Sequence, residues 1–239
     1  MSKILLRSIA IASLSAAALW AANFLESKSY TEWSPKEVEK LLTNSPWSQK
    51  VSVSMGGSGR GGGGGLGNSG IPRASRGGGG GGGRRGSGEF GGASPRAPTM
   101  SLFVRWFSSI PVKQALVRFR YRDEVATAQE ANDYLARQEN FYVVTVAGLP
   151  GRMAGLVERN PGGLKETTML KRKKKEPINP DAIRSQAKEE SATFYFMFPK
   201  TDTITIDDKE VEFIMKTERF EVKRKFKLKN MVFNGELSL

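Results

Sequence analysis

Residues 56–99 hold 21 of the chain's 27 glycines, and that concentration limits everything else the chain can build. Glycine loses the most backbone entropy on ordering, and this tract has almost no apolar side chains to offset the loss. It reads as a disordered Gly/Arg-rich linker, so any hydrophobic core must come from its flanks. Arg60, Arg73, Arg76, Arg84, Arg85 and Arg96 lie in it, with Glu89 as the one acid. Arg60-Gly61-Gly62 and Arg76-Gly77-Gly78 match elements by which disordered segments hold RNA, with arginines on phosphates and bases. Phe90 is the only aromatic, whereas such segments interleave many, and this favours a linker over an RNA-binding arm. A G-x-G-x-x-G pattern here follows no strong strand and opens no helix, so it carries no weight.

Upstream, residues 31–50 carry a start signal, a helical period and a stop signal that agree. Ser34 is an N-cap, Pro35 occupies the first helical position, and Glu37 stands where a capping-box carboxylate reaches back. Val38, Leu41 and Leu42 share one face, and Asn44-Ser45-Pro46 ends the helix. Trp33 and Trp47 bracket the unit and are placed to cover that face; a sugar-stacking role is the weaker reading. A short alternating strand follows over residues 50–54.

The first 22 residues have the form of a signal peptide. Lys3 and Arg7 form a basic start, and residues 8–20 are an uncharged apolar run too short for a comfortable membrane span. Small residues at Ala21 and Ala22 supply a cleavage site, and an uncleaved anchor is the alternative. With no cysteine in the chain, a lipoprotein anchor is excluded. The 37 basic and 24 acidic residues give +13, which falls to near +11 once Lys3 and Arg7 are lost. Such a charge points to anionic partners: nucleic acid, lipid head groups or envelope glycan. Cysteine and histidine are both absent, which excludes thiol and imidazole nucleophile systems, Cys/His zinc sites and disulfides. No cofactor is indicated, and a metal would need oxygen ligands alone.

Residues 100–239 read as an α+β domain, mainly antiparallel sheet with two or three short helices. Strands are expected over residues 102–107, 141–146, 193–198, 211–216 and 220–228. A helix from Pro111 would bury Val112, Leu116 and Phe119, and a second over residues 127–137 would bury Ala131, Tyr134 and Leu135. Gly148-Leu149-Pro150-Gly151 closes the strand before it, and Asn179-Pro180-Asp181 is expected to cap a helix reaching about Lys188. Val222, Phe226 and Leu228 fall on one strand face, with Lys223, Lys225 and Lys227 on the other. Asn234-Gly235 is a two-residue hairpin turn. One sheet, dry on one side and lysine-rich on the other, is the expected result. The chain thus divides into a leader (1–22), a capped helix and strand (23–55), the linker (56–99) and the α+β domain (100–239).

Two lysine-rich runs form the candidate anion-binding surface. Lys171, Arg172, Lys173, Lys174 and Lys175 make the densest basic run, and Lys223, Lys225 and Lys227 make the second. Either would suit lipid head groups or glycan, or else protect a strand edge from pairing with other chains. Asp202, Asp207 and Asp208 lack the calcium-loop spacing and read as turn residues. The carboxylate pairs Glu189/Glu190 and Glu210/Glu212 read as residues of an exposed strand face and not as acid–base pairs, so an enzyme is not expected.

The leader, EWSPKEVEKLLTNSPW, VRWFSSIPVKQALVR, YVVTVAGLPGR and the closing FPKTDTITIDDKEVEF…VKRKFKLKNMVFNGELSL together resemble a family of exported bacterial proteins with no assigned activity. The resemblance implies export and a shared fold, and it implies no site. The expectation is a non-enzymatic envelope or periplasmic protein that binds or scaffolds through a basic sheet face. Its partner would be an anionic envelope component or another protein. An RNA-binding protein using the linker and lysine rows is the alternative, disfavoured if the chain is exported.

Overall fold

Helix α1 (Pro35–Thr43) begins as its cap residues dictate. The Glu37 N–H donates to Ser34 Oγ at 3.4 Å, and the Ser34 N–H donates to the Glu37 carboxylate at 2.8 Å. Two donors with no partner inside the helix are thereby satisfied. Val38, Leu41 and Leu42 are buried, and Trp33 and Trp47 are each only 1% exposed. The computed structural model describes residues 24, 25, 27–54, 99–125 and 127–239; the leader and the glycine tract lie outside the described residues.

Strand β1 (Ser48–Ser54) pairs antiparallel with β2 (Thr99–Trp106), Ser48 opposite Arg105 and Ser54 opposite Thr99. The chain therefore leaves the sheet at Ser54 and re-enters beside it, so residues 55–98 are inserted in a hairpin. The division of 23–55 from 100–239 does not separate two cores. One hydrophobic core runs from Phe24 to Phe233. Trp47 Nε1 donates to the Ser238 carbonyl at 2.8 Å, and Ser238 Oγ accepts from the Ile110 N–H at 3.0 Å, tying the segment before β1 to residues that follow the last strand. A nine-residue helix and a seven-residue edge strand bury too little apolar area to stand alone. Replacing residues 55–98 with Asn-Gly is expected to keep the fold and raise stability by about 2 kcal/mol, because a shorter loop closes at lower entropic cost. Denaturant melts of the two chains check this; loss of cooperative unfolding on excision would contradict it.

The fold is α+β, with antiparallel pairing in every ladder among the described residues. A five-stranded sheet has the order β1-β2-β3-β6-β5, where β3 is Phe141–Pro150, β5 is Ala182–Lys188 and β6 is Ser191–Pro199. A second sheet has the order β4-β7-β8, with β4 Thr168–Arg172, β7 Glu210–Lys216 and β8 Glu221–Lys227. Two stacked sheets thus replace the single one expected. Trp106 meets Phe226 at 5.4 Å and Phe196 meets Phe213 at 5.5 Å, both edge-on, across the gap between them. The apolar face of β6 needs an apolar layer opposite, and Val211, Phe213 and Met215 of β7 supply it. The β9–β10 hairpin (Val232–Phe233, Glu236–Leu237) turns on Asn234 and Gly235 with φ of 51° and 81°, as that dipeptide requires.

Several other sequence expectations change. Residues 182–188 form an edge strand instead of a helix, because β6 offers a free edge that β5 satisfies from Ala182 opposite Met197 to Lys188 opposite Ser191. Helix α2 (Ile110–Tyr121) buries Val112, Ala115 and Val117, leaving Leu116 half-buried and Phe119 71% exposed. Strand β3 runs past Gly148 to Pro150 by means of a bulge; Gly148 has φ 89°, and a Cβ there would lie 3.0 Å from the Ser101 carbonyl oxygen. Helix α3 (Gln129–Ala136) buries Ala131, with Tyr134 and Leu135 half-buried. Two short helices the sequence did not mark follow β3: α4 (Gly155–Arg159) and α5 (Pro161–Glu166).

Candidate functional site

Of the first basic run only Lys171 lies with Lys223, Lys225 and Lys227 on the outer face of the β4-β7-β8 sheet. Lys171 stands opposite Glu212, Glu212 opposite Lys225, and Glu210 opposite Lys227 in the ladder. Lys225 Nζ lies 2.9 Å from Glu210, and Lys223 Nζ lies 3.0 Å from Glu221. The hydrogen bond that Lys225 donates to Glu210 holds its amine above the ordinary range. Acids on the central strand therefore interleave the lysines, and the face reads as a lattice of exposed pairs rather than a broad positive field. Lys173 and Lys174 stand exposed in the turn after β4, with Lys174 at φ 60°.

Arg172 is not on this surface at all. Period-2 alternation in β4 turns it inward beside Leu170, and its side chain is fully buried. Its guanidinium forms a two-pronged pair with Asp202 and lies 3.8 Å from Asp208, while Lys175 Nζ is 2.7 Å from Asp208. Asp202 and Asp208 thus serve an arginine, while Asp207 is exposed. Among the described residues no three acidic side chains converge as metal ligands do. The Arg172 hydrogen bond holds the Asp202 carboxyl below its ordinary range. Burial pushes Asp208 up, but Lys175, the Thr205 N–H and Arg172 outweigh it and the net shift is also downward. A carboxyl lowered on folding stabilises the fold above its unfolded value, near 4, and that contribution disappears as pH falls through the folded value. Acid melts are expected to show declining stability below about pH 4, with the decline flattened in Asp202→Asn/Asp208→Asn. An unchanged acid slope in the double variant would contradict this assignment.

A different group of charges surrounds an open cleft of about 800 Å³ between the α4–α5 hairpin and the turn joining β7 to β8. Its size lies within the range of small-molecule sites. Met153, Leu156, Leu164 and Phe220 line it with apolar surface, and all four belong to or pack against the main core. Arg152, Arg159, Lys216 and Arg219 stand around it, with Glu218 as the one acid in the lining. Arg152, Arg159, Lys216 and Arg219 are all exposed. None of these four makes an ion pair among the described residues, in contrast to Lys223 and Lys225.

Local hydrogen bonds hold the walls of the cleft in place. Asn160 Oδ1 accepts from the Gly163 N–H at 2.9 Å, fixing the start of α5. Thr167 Oγ1 donates to the Gly163 and Lys216 carbonyls at 2.9 and 2.8 Å, joining the end of α5 to β7. Thr217 Oγ1 donates to the Phe220 carbonyl at 2.9 Å and accepts from the Arg219 and Phe220 N–H groups, closing the turn. Both hydroxyls are spent on backbone. The lining offers cationic charge and apolar contact, which are means of binding.

Sequence reading missed Arg152, Arg159, Lys216 and Arg219 because they sit about sixty positions apart in two pairs, each ordinary by itself. Only the β4–β7 pairing, with Thr168 opposite Met215, brings the two together. Compared with known proteins, the chain matches no family model, no curated protein and no solved structure.

Proposed function

We propose that the chain is a non-enzymatic binding protein of the bacterial cell envelope, and that it holds an anionic ligand in the cleft beside α4 and α5. The observation that carries this reading is four exposed cations, unpaired among the described residues, around one apolar-lined cleft. Like charges are held near one another at a cost, and an anionic ligand relieves it. Export rests on the leader. Cleavage near Ala21 or Ala22 would retain Phe24 and Leu25, each 7% exposed and part of the core. The lysine surface is secondary in this reading, since glutamates already face its cations.

The probe is anilinonaphthalene sulfonate, an anionic apolar dye, titrated into the full chain at low salt. Arg159→Glu/Arg219→Glu is expected to weaken its binding at least tenfold, with circular dichroism unchanged. Lys223→Glu/Lys225→Glu is expected to leave it within twofold. The opposite ranking would overturn the assignment. Binding should also fall with rising salt, because the charges involved are exposed.

A further inference from the structure

The cleft joins two surfaces that a small inorganic anion would not use together. Arg159 and Arg219 line it and are exposed to water, while Met153, Leu164 and Phe220, each under 10% exposed, supply its apolar wall. Leu156, half-buried, lines the cleft with them. A free phosphate satisfied by the arginines would leave the wall facing solvent, and a neutral chain on the wall would leave the cations unanswered. Charge and shape are complementary to a molecule with both an anionic head and an aliphatic tail.

Resting on the reading of the cleft as an anion site, we infer that its ligand is a single-chain anionic amphiphile: a fatty acid, an alkyl phosphate or the monoacyl part of a lipid. The head lies against Arg159 and Arg219, and the tail runs over Leu156 onto Leu164 and Phe220. Burying each methylene of such a tail strengthens binding about fourfold while the chain still lies in the cleft. Chain length, therefore, should govern affinity more than head-group identity does.

The test is calorimetric titration of the full chain with hexyl, octyl, decyl and dodecyl phosphate below their aggregation limits. Inorganic phosphate and dodecyl maltoside serve as the tail-free and charge-free controls. Affinity is expected to climb with each lengthening, and dodecyl phosphate to bind at least a hundredfold more tightly than inorganic phosphate. Leu156→Glu is expected to remove the dependence on chain length, and Arg159→Gln/Arg219→Gln to weaken every alkyl phosphate at least tenfold. Inorganic phosphate binding as tightly as dodecyl phosphate would overturn the amphiphile while leaving the anion site in place. Dodecyl maltoside matching dodecyl phosphate, with the arginine variants unaffected, would overturn both. So would a failure of every probe to bind. Decanoate in place of decyl phosphate separates a carboxylate head from a phosphate one.

Discussion

Arg172→Ala is expected to destabilise the chain by about 3 kcal/mol, the largest effect of any single charge change. Removing one partner of a buried ion pair leaves the other charge without compensation, and such losses run at about 3–5 kcal/mol. The lower end applies here, since Asp202 is half exposed and Lys175 stays 2.7 Å from Asp208. The guanidinium also donates to the Glu176 carbonyl at 3.4 Å, so its loss loosens the turn carrying Lys173 and Lys174. Urea melts of Arg172→Ala, Asp208→Asn and the double variant give the coupling. The double variant should be less destabilised than the sum of the two. Strict additivity would show that the three groups do not act together.

Trp47→Ala should cost about 3–5 kcal/mol, because it removes a fully buried indole and leaves a cavity. It also frees the Ser238 carbonyl, whose 2.8 Å hydrogen bond joins the start of the fold to its last residues. Trp47→Phe keeps most of the bulk and should cost only about 1 kcal/mol more than an isosteric apolar swap, the worth of that hydrogen bond. Thermal melts of both variants measure this directly. If Trp47→Ala unfolded at the wild-type temperature, residues 33–54 would not be part of the core described here.

What the sequence disclosed and what it hid follow from the range of the forces involved. The capping box at Ser34 and Glu37, the turn at Asn234-Gly235 and the alternation in residues 221–227 are local, and each was legible in a few residues. Residues 182–188 misled because Ala182-Ile183-Arg184-Ser185-Gln186-Ala187 suits a helix locally, while the free edge of β6 decides otherwise. Phe119 misled because its helical spacing from Val112 and Leu116 fits a face adjacent to the buried one. Arg172 sat inside a basic run, yet strict alternation from Leu170 would have marked it as inward. The cleft had no local signal: Arg152 and Arg219 become neighbours only through tertiary pairing of strands distant in sequence.

Amide chemical-shift mapping of the ¹⁵N-labelled chain with octyl phosphate tests the central claim most directly. The expected result is perturbation confined to residues 152–167 and 216–220, saturating with one ligand per chain. Perturbation centred on residues 171–175 and 223–227, or none at saturating ligand, would contradict the account.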